Sequence, residues 1–320
     1  MKKKIRAIIT ENKAIADGVY RLVLAGAPDG GGFTALARAA EPGQFVNVYL
    51  NDRTMLLPRP FGISDVVDCG CCGASRCHTL NADAAMPYPE PRIVLVYAAV
   101  GAGTARLATY EAGTEIMLLG PQGNGYDLAA CGRNVLLVGG GLGIPPLLFA
   151  ARKLREAAMR GGDTAKSGAK VTALLGYRDS QYYAEAMKEC CDEVYCISEN
   201  PLAGAQGEPN AHAQGATHGG TTRPAAEQKT GTVIDLLDSL VSERKLDISD
   251  AIILSCGPYP MLKAVAEWAS KNGIPAQVSM EERMGCGYGA CVGCTIELKT
   301  ARKKICTDGP VFQADTIAWR

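Results

Sequence analysis

Four cysteines late in the sequence, Cys286, Cys291, Cys294 and Cys306, stand in the spacing C-x4-C-x2-C-x11-C, within MGCGYGACVGCTIEL and KICTDGP. The first three thiols fall within nine residues, so one tight loop must present them, and Cys306 must arrive on a returning segment. The opening C-x4-C-x2-C is the plant-type 2Fe-2S spacing. Glycines at 285, 287, 289 and 293 alternate with the thiols. A loop wrapped on a cluster needs positive φ angles and peptide N–H groups free to approach sulfur, and bulky residues would block both. The competing readings are buried free thiols or a four-cysteine zinc site. Free thiols would not come with alternating glycines, and zinc usually takes two separated C-x2-C pairs.

Composition limits the partners. Lys+Arg and Asp+Glu number 33 each, so no global field favours nucleic acid or an anionic membrane. The first residues, MKKKIRAIITENKAIADGVYRLVL, are basic but carry no apolar signal core, and no stretch approaches membrane-spanning length. The expectation is a cytoplasmic protein that binds neither nucleic acid nor membrane. Thirteen cysteines without an export signal indicate a reducing compartment and metal or redox use rather than a disulfide framework. All three histidines, His78, His212 and His218, fall in irregular, turn-rich text, which argues against a hydrolase built on a histidine base. Redox chemistry carried by cofactors needs no such base.

At 320 residues the chain has room for two domains and a small third. Residues 1–130 read as short strands between turns (IRAIITENKAI, YRLVLAG, QFVNVYL, RIVLVYAAV, EIMLLGP), the pattern of a small antiparallel β-barrel. Residues 131–278 alternate apolar strands with helical stretches, from NVLLVGGG through PLLFAARKLREAAM to AIILSC and PMLKAVAEWASKNG, which implies an α/β domain with a parallel sheet. Residues 279–320 form a third unit around the cysteines. Two segments interrupt this order, the cysteine-rich 66–91 and the low-complexity 200–230, and both read as surface insertions. Cys69, Cys71, Cys72 and Cys77 with His78 admit a second metal site, but their cramped spacing fits no common zinc or cluster template, and a thiol-rich loop is the preferred reading. Cys190, Cys191 and Cys196 read as packing residues on or after a helix.

Three stretches suit cofactors. In LLPRPFGIS, Arg59 is placed to fix a phosphate or ring oxygen beside a strand, with proline-stiffened backbone against a flat heterocycle. In VYAAVGAGTARLATYEAG, a strand leads through a G-x-G-T turn at Gly101 to Thr104 into a helix, either a pyrophosphate cradle or an ordinary N-capped helix start. In NVLLVGGGLGIPPLLFAARKL, Gly139, Gly140, Gly141 and Gly143 follow a strand and precede a helix beginning near Pro145 or Pro146, the context of dinucleotide binding without the standard G-x-G-x-x-G. Cys256, Gly257 and Pro258 end a later strand, at the edge where open α/β sheets bind ligands. Cys256 is either a candidate beside the nicotinamide or a buried strand-end thiol.

Taken in order, RPFGIS, VGAGT, LGPQGNGY, VGGGLGIPPL, CGPYPML and MEERMGCGYGACVGC with CTDGPVF resemble the ferredoxin-reductase superfamily. Within it they are most similar to the electron-transfer subunits of NAD-dependent dihydroorotate dehydrogenase. That resemblance implies an FAD-binding barrel, a nicotinamide-binding α/β domain and a 2Fe-2S domain. It places Arg59, Pro60, Phe61 and Gly62 on the flavin, with Val96, Tyr97 and Ala98 on the following strand and Gly103 with Thr104 at the diphosphate. It makes Cys286, Cys291, Cys294 and Cys306 the cluster ligands. Gly62 stands where the family commonly has serine, and Ala98 where a basic residue is common. The implied partner is an FMN-containing dihydroorotate dehydrogenase catalytic subunit, in a heterotetramer of two of each chain, with electrons passing through cluster and FAD to NAD in pyrimidine biosynthesis. A competing enzyme reading is an NAD(P)H-dependent reductase subunit serving ferredoxin, sulfur or hydrogenase partners. A reading of another class is a redox-sensing binding module.

Overall fold

The computed structural model describes residues 3–28, 31–68, 90–160, 169–200 and 230–320. Its first region is a closed barrel of β1 (Ile5–Ala16), β2 (Val19–Gly26), β3 (Phe45–Tyr49), β4 (Arg59–Val67), β5 (Arg92–Ala98) and β6 (Glu115–Gln122), paired in the order β1-β2-β5-β4-β3-β6. Every pair is antiparallel. Closure leaves no strand edge open, and the period-two alternation turns Ile9, Leu22, Val46, Val48, Leu95 and Leu118 into a single core. Each fully buried aliphatic side chain of this kind contributes roughly 1.5–3 kcal/mol. Helix α1 (Phe33–Arg38) plugs the barrel with Phe33 and Leu36, and α2 (Ala102–Ala108) follows β5.

Strand β4 departs from the sequence expectation, which put RPFGIS beside a strand rather than in one. Pro60 and Gly62 dilute the strand pattern, yet Pro60 is the second residue of β4, where a missing N–H is easily tolerated. The strand also runs through Val67, into the segment read as an insertion. Cys69, Cys71, Cys72, Cys77 and His78 lie outside the described residues.

The second region is a six-stranded sheet in the order β14-β11-β10-β7-β8-β9. In chain order it contains β7 (Asn134–Gly140), α3 (Ile144–Arg160), β8 (Lys170–Tyr177), α4 (Ala184–Lys188), β9 (Glu193–Ser198), α5 (Val233–Ser242), β10 (Ala251–Cys256), α6 (Tyr259–Lys271) and β11 (Ala276–Ser279). These strands run parallel. From β7 the chain steps outward to β8 and β9, then returns to lay β10 and β11 on the other side of β7. The order therefore reverses between β7 and β10, the switch point at which open α/β sheets hold ligands. A short 3-10 turn, Gly141–Gly143, precedes α3, which begins at Ile144, just ahead of the prolines. Cys190 and Cys191 are buried in the core beside α3, and Cys196 is half-buried on β9. Residues 201–229, with His212 and His218, lie outside the described residues; Thr230 re-enters by bridging Ser198.

The last stretch holds β12 (Thr295–Glu297), β13 (Arg302–Lys304), α7 (Ile305–Asp308) and β14 (Val311–Gln313). Strand β14 pairs antiparallel with β11, Gln277 opposite Gln313, and so supplies the outer strand of the second region's sheet. Among the described residues no helix is long and apolar enough to cross a membrane.

Strands β3 and β4 are the junction of the molecule. On β3, Val46 and Val48 point into the barrel, while Phe45 packs in the other core with Cys294 and Cys306, and Asn47 meets the cysteine loop. On β4, a Cβ at Gly62 would come 3.2 Å from Pro146 Cγ of α3. Arg152 of α3 closes the same seam with a 2.5 Å ion pair to Asp65, whose carboxyl is raised by burial against the opposing pull of Arg152.

Candidate functional site

The first candidate site lies at the barrel end. Gly103 is buried because the Arg59 guanidinium occupies the space where its Cβ would stand. Arg59 Nη1 also donates to the Leu57 carbonyl at 2.6 Å, with the guanidinium at the start of α2. The Thr104 hydroxyl accepts from Gly101 N–H and donates to the Gly101 carbonyl, both at 3.1 Å, so the turn is tied off by its own third helical residue. A guanidinium over a glycine turn suits a diphosphate. Leu57 and Val100, next in sequence to these groups, are 57% and 88% exposed, apolar surface of the kind a flat heterocycle covers. These features fit FAD.

The other expected flavin residues divide by face. Pro60 sits opposite Asn47 and Gly62 opposite Phe45, on the outer side of the barrel. Gly62 faces Pro146 closely, so the Cβ of a serine there would press on the Pro146 ring, 3.2 Å from its Cγ. The Phe61 ring packs 5.4 Å from Tyr97. Tyr97 is turned into the barrel core, where its hydroxyl donates to Asn12 Oδ1 at 2.9 Å. Only its backbone is left for a cofactor. Val96 is buried, and half-buried Ala98 pairs with Val19.

The second candidate site is the switch point. A Cβ at Gly143 would overlap the Cys256 carbonyl and Gly257 N, and one at Gly140 would overlap Met261 Sδ and approach Pro258 Cδ at 3.3 Å. Gly139 stands opposite Cys256 in the β7–β10 ladder. The two loops therefore pass backbone against backbone at Gly143, while Gly139 and Gly140 admit the side chains of Ile144, Leu147 and Met261. Gly141 takes φ +51° beside the Tyr182 hydroxyl. Desolvation pushes the Cys256 thiol up to about 12, helped by the charge of Glu281 and opposed by Ser279. It is a neutral thiol packed at the strand end, not a thiolate.

The third site is the cysteine loop. Cys291 N–H donates to Cys286 Sγ at 3.3 Å. Desolvation works to raise the Cys286 thiol, but the N–H groups of Tyr288, Cys291 and Ala290 outweigh it and hold it down at about 6. Buried Cys306 is raised to about 12 by desolvation and by its hydrogen bond and charge contact with Cys294. Cys286 thus meets Cys291 and Cys294 meets Cys306, while the charge of Cys286 also reaches Cys306. Two pairs suit two irons, and N–H groups already directed at a sulfur are what a bound cluster requires. Among the described residues no three such side chains close on one point as a single-ion site. Of the four glycines the pattern singled out, Gly287 and Gly289 take φ +70° and +95° as expected, whereas Gly285 and Gly293 do not adopt positive φ.

Sequence reasoning missed Asn47, Asn124, Ser279 and Tyr182. An asparagine between two valines, or in a G-N-G turn, carries no spacing signal of its own.

The family described as the iron-sulfur cluster binding domain of dihydroorotate dehydrogenase B matches residues 281–318. Over its whole length the chain is similar to the dihydroorotate dehydrogenase B (NAD(+)) electron transfer subunit of Shouchella clausii, 33% identical over 99% of this chain and 98% of the relative. The subunit of that name from Bacillus velezensis is 32% identical over 99% of each chain. Among solved structures, that of an NADH-dependent reduced ferredoxin-NADP oxidoreductase superposes with a TM-score of 0.69 at 26% identity, over 98% of this chain and 89% of that one. The cytochrome b5 reductase domain of Ulva prolifera nitrate reductase shares the fold, with a TM-score of 0.54 at 17% identity over 85% of this chain and 94% of that one.

Proposed function

The chain belongs to the family of electron transfer subunits of NAD-dependent dihydroorotate dehydrogenase B, and from that premise we propose that it carries electrons between a catalytic partner and NAD. The partner is an FMN-containing dihydroorotate dehydrogenase chain, two of each forming a heterotetramer in the cytoplasm, with the product entering pyrimidine biosynthesis. When bound, FAD supplies exchange of electron pairs with nicotinamide and of single electrons with a 2Fe-2S cluster. The protein's own residues bind and align. Arg59, Gly103 and Thr104 hold the flavin diphosphate, and Pro60, Phe61 and Gly62 with the backbone of Val96, Tyr97 and Ala98 frame the ring. Gly139 to Gly143 and Cys256 to Pro258 admit NAD, and Cys286, Cys291, Cys294 and Cys306 hold the cluster. We assign residues 1–130, 131–278 and 279–320 to these three tasks in turn.

The observation that carries this reading is the β3–β4 junction. One strand pair bears the flavin residues, touches the helix after the nicotinamide turn at Gly62, and touches the cysteine loop at Asn47. Three cofactors served from one strand pair are held close and in fixed relation, as electron transfer needs.

The test is to express the chain with and without the catalytic chain and measure dihydroorotate-dependent NAD reduction, with flavin and iron analyses. Activity confined to the complex, with one FAD and two irons per chain, is expected. Cofactor-loaded protein that forms no complex and supports no dihydroorotate oxidation would sink the assignment. The whole-length likeness to the NADH-dependent reduced ferredoxin-NADP oxidoreductase favours, as second reading, an NAD(P)H-linked reductase subunit serving ferredoxin.

A further inference from the structure

Asn47 is fully buried, on the outer face of β3, directly opposite Pro60 of β4. Its Nδ2 donates 2.9 Å to the carbonyl of Gly287, the residue after Cys286. The contact is intimate, because a Cβ at Gly287 would overlap the Asn47 amide. Asn47 Oδ1 is buried and has no hydrogen-bond partner among the described residues. A buried amide that makes one hydrogen bond and leaves its carbonyl oxygen unpartnered is a poor device for stability, since an apolar side chain of the same shape would carry no desolvation cost. Its N–H, by contrast, makes a directed link that an apolar group cannot.

A second asparagine makes the matching contact at the other end of the cysteine set. Asn124, just beyond β6, donates from Nδ2 to the carbonyls of Asp308 at 3.0 Å and Thr307 at 3.5 Å. Thr307 is the residue after Cys306. The barrel therefore grips the chain immediately after one thiol of each pair, Cys286 of the first and Cys306 of the second. The two grips leave from strands that flank each other, since β3 pairs with β6.

We propose that Asn47 is a positioning residue for electron passage between flavin and cluster: it fixes the Cys286 end of the cluster loop against the strand pair that carries the flavin residues, while Asn124 anchors the Cys306 end. The proposal rests on the cofactor reading above. It concerns relative placement, so its signature is a change in coupling with both cofactors still bound. Outer groups that orient metal ligands are typically worth about 10–100-fold in metal affinity or activity.

The experiment compares the full chain with Asn47→Leu, which fills the same space without a donor, and with Asn47→His, whose ring N–H can reach the same carbonyl. FAD and iron per chain, the electron paramagnetic resonance spectrum of the reduced cluster, NADH-driven ferricyanide reduction and stopped-flow cluster reduction by NADH are recorded for each. Asn47→Leu should keep its flavin, iron and ferricyanide rate, shift the resonance spectrum, and slow cluster reduction by roughly tenfold or more. Asn47→His should restore the spectrum and most of the rate. A Leu variant with unchanged spectrum and cluster reduction overturns the proposal. So does loss of flavin, iron and thermal stability together in both variants, which would make Asn47 a packing residue only. Should the unsubstituted chain itself take up no cluster, the cofactor reading fails and the proposal falls with it.

Discussion

The two glycine turns of this chain look alike on paper and are built differently. At Gly101 to Thr104 the missing side chain makes room for a guanidinium, delivered by Arg59 from a neighbouring strand. In the Gly139 to Gly143 turn it is Gly143 whose missing side chain makes room for main chain, the carbonyl of Cys256 and the amide of Gly257. The first turn is thereby a charged cradle whose filling can move. The second is a fixed seam between adjacent parallel strands, with a neutral thiol beside it. A strand-glycine-helix signature says that something approaches the backbone; only the neighbour says what.

Substitutions test that contrast directly. Gly143→Ala should have the largest effect, because its Cβ meets backbone that cannot step aside: about 3 kcal/mol of destabilisation, read as a lowered melting temperature, with NADH binding abolished. A Gly143→Ala protein of normal stability would break the comparison. Gly103→Ala meets only the mobile end of Arg59, so the fold should melt normally while FAD affinity falls by one to two orders of magnitude, matching the ~1.5–3 kcal/mol of a charge-assisted hydrogen bond. Titration of apoprotein with FAD measures it, and Arg59→Ala should reproduce the loss.

Thr104→Ala removes both contacts with Gly101 and should cost about 1 kcal/mol of stability with at most a severalfold loss of FAD affinity. The smallest effect concerns pH. A thiol whose folded value is raised to about 12 contributes stability that is complete below its unfolded value and is lost only as pH rises toward 12. Between about pH 7 and 9, therefore, Cys256 should remain unlabelled by iodoacetamide, as judged by peptide mass spectrometry. Rapid labelling in that range would place a thiolate in the groove and erase the difference in charge between the two turns.

Local text revealed the glycine turns, the cysteine loop and most strands, since each rests on spacing within a dozen residues. What fills each turn was not legible, because Arg59 and Gly103, or Gly143 and Cys256, meet only through the fold. Strand β4 was hidden by Pro60 and Gly62, residues that lower strand propensity but serve this strand, one near its start and one against Pro146. Asn47 was hidden differently: V-N-V reads as ordinary alternation with a polar residue outward, and nothing in it tells that the outward side is covered by Gly287. The place of β14 was invisible because its partner β11 lies on the far side of the cysteine loop in sequence.

That last pairing has a consequence for biosynthesis. A sheet strand whose partner is missing presents a row of open hydrogen-bonding groups, a site for aggregation. During synthesis β11 leaves the ribosome before the cysteine loop and β14 after it, so β11 waits without its outer neighbour while the thiols emerge. The sheet edge is thus closed only once the whole cysteine loop has been made, so its protection is among the last steps in the making of the chain.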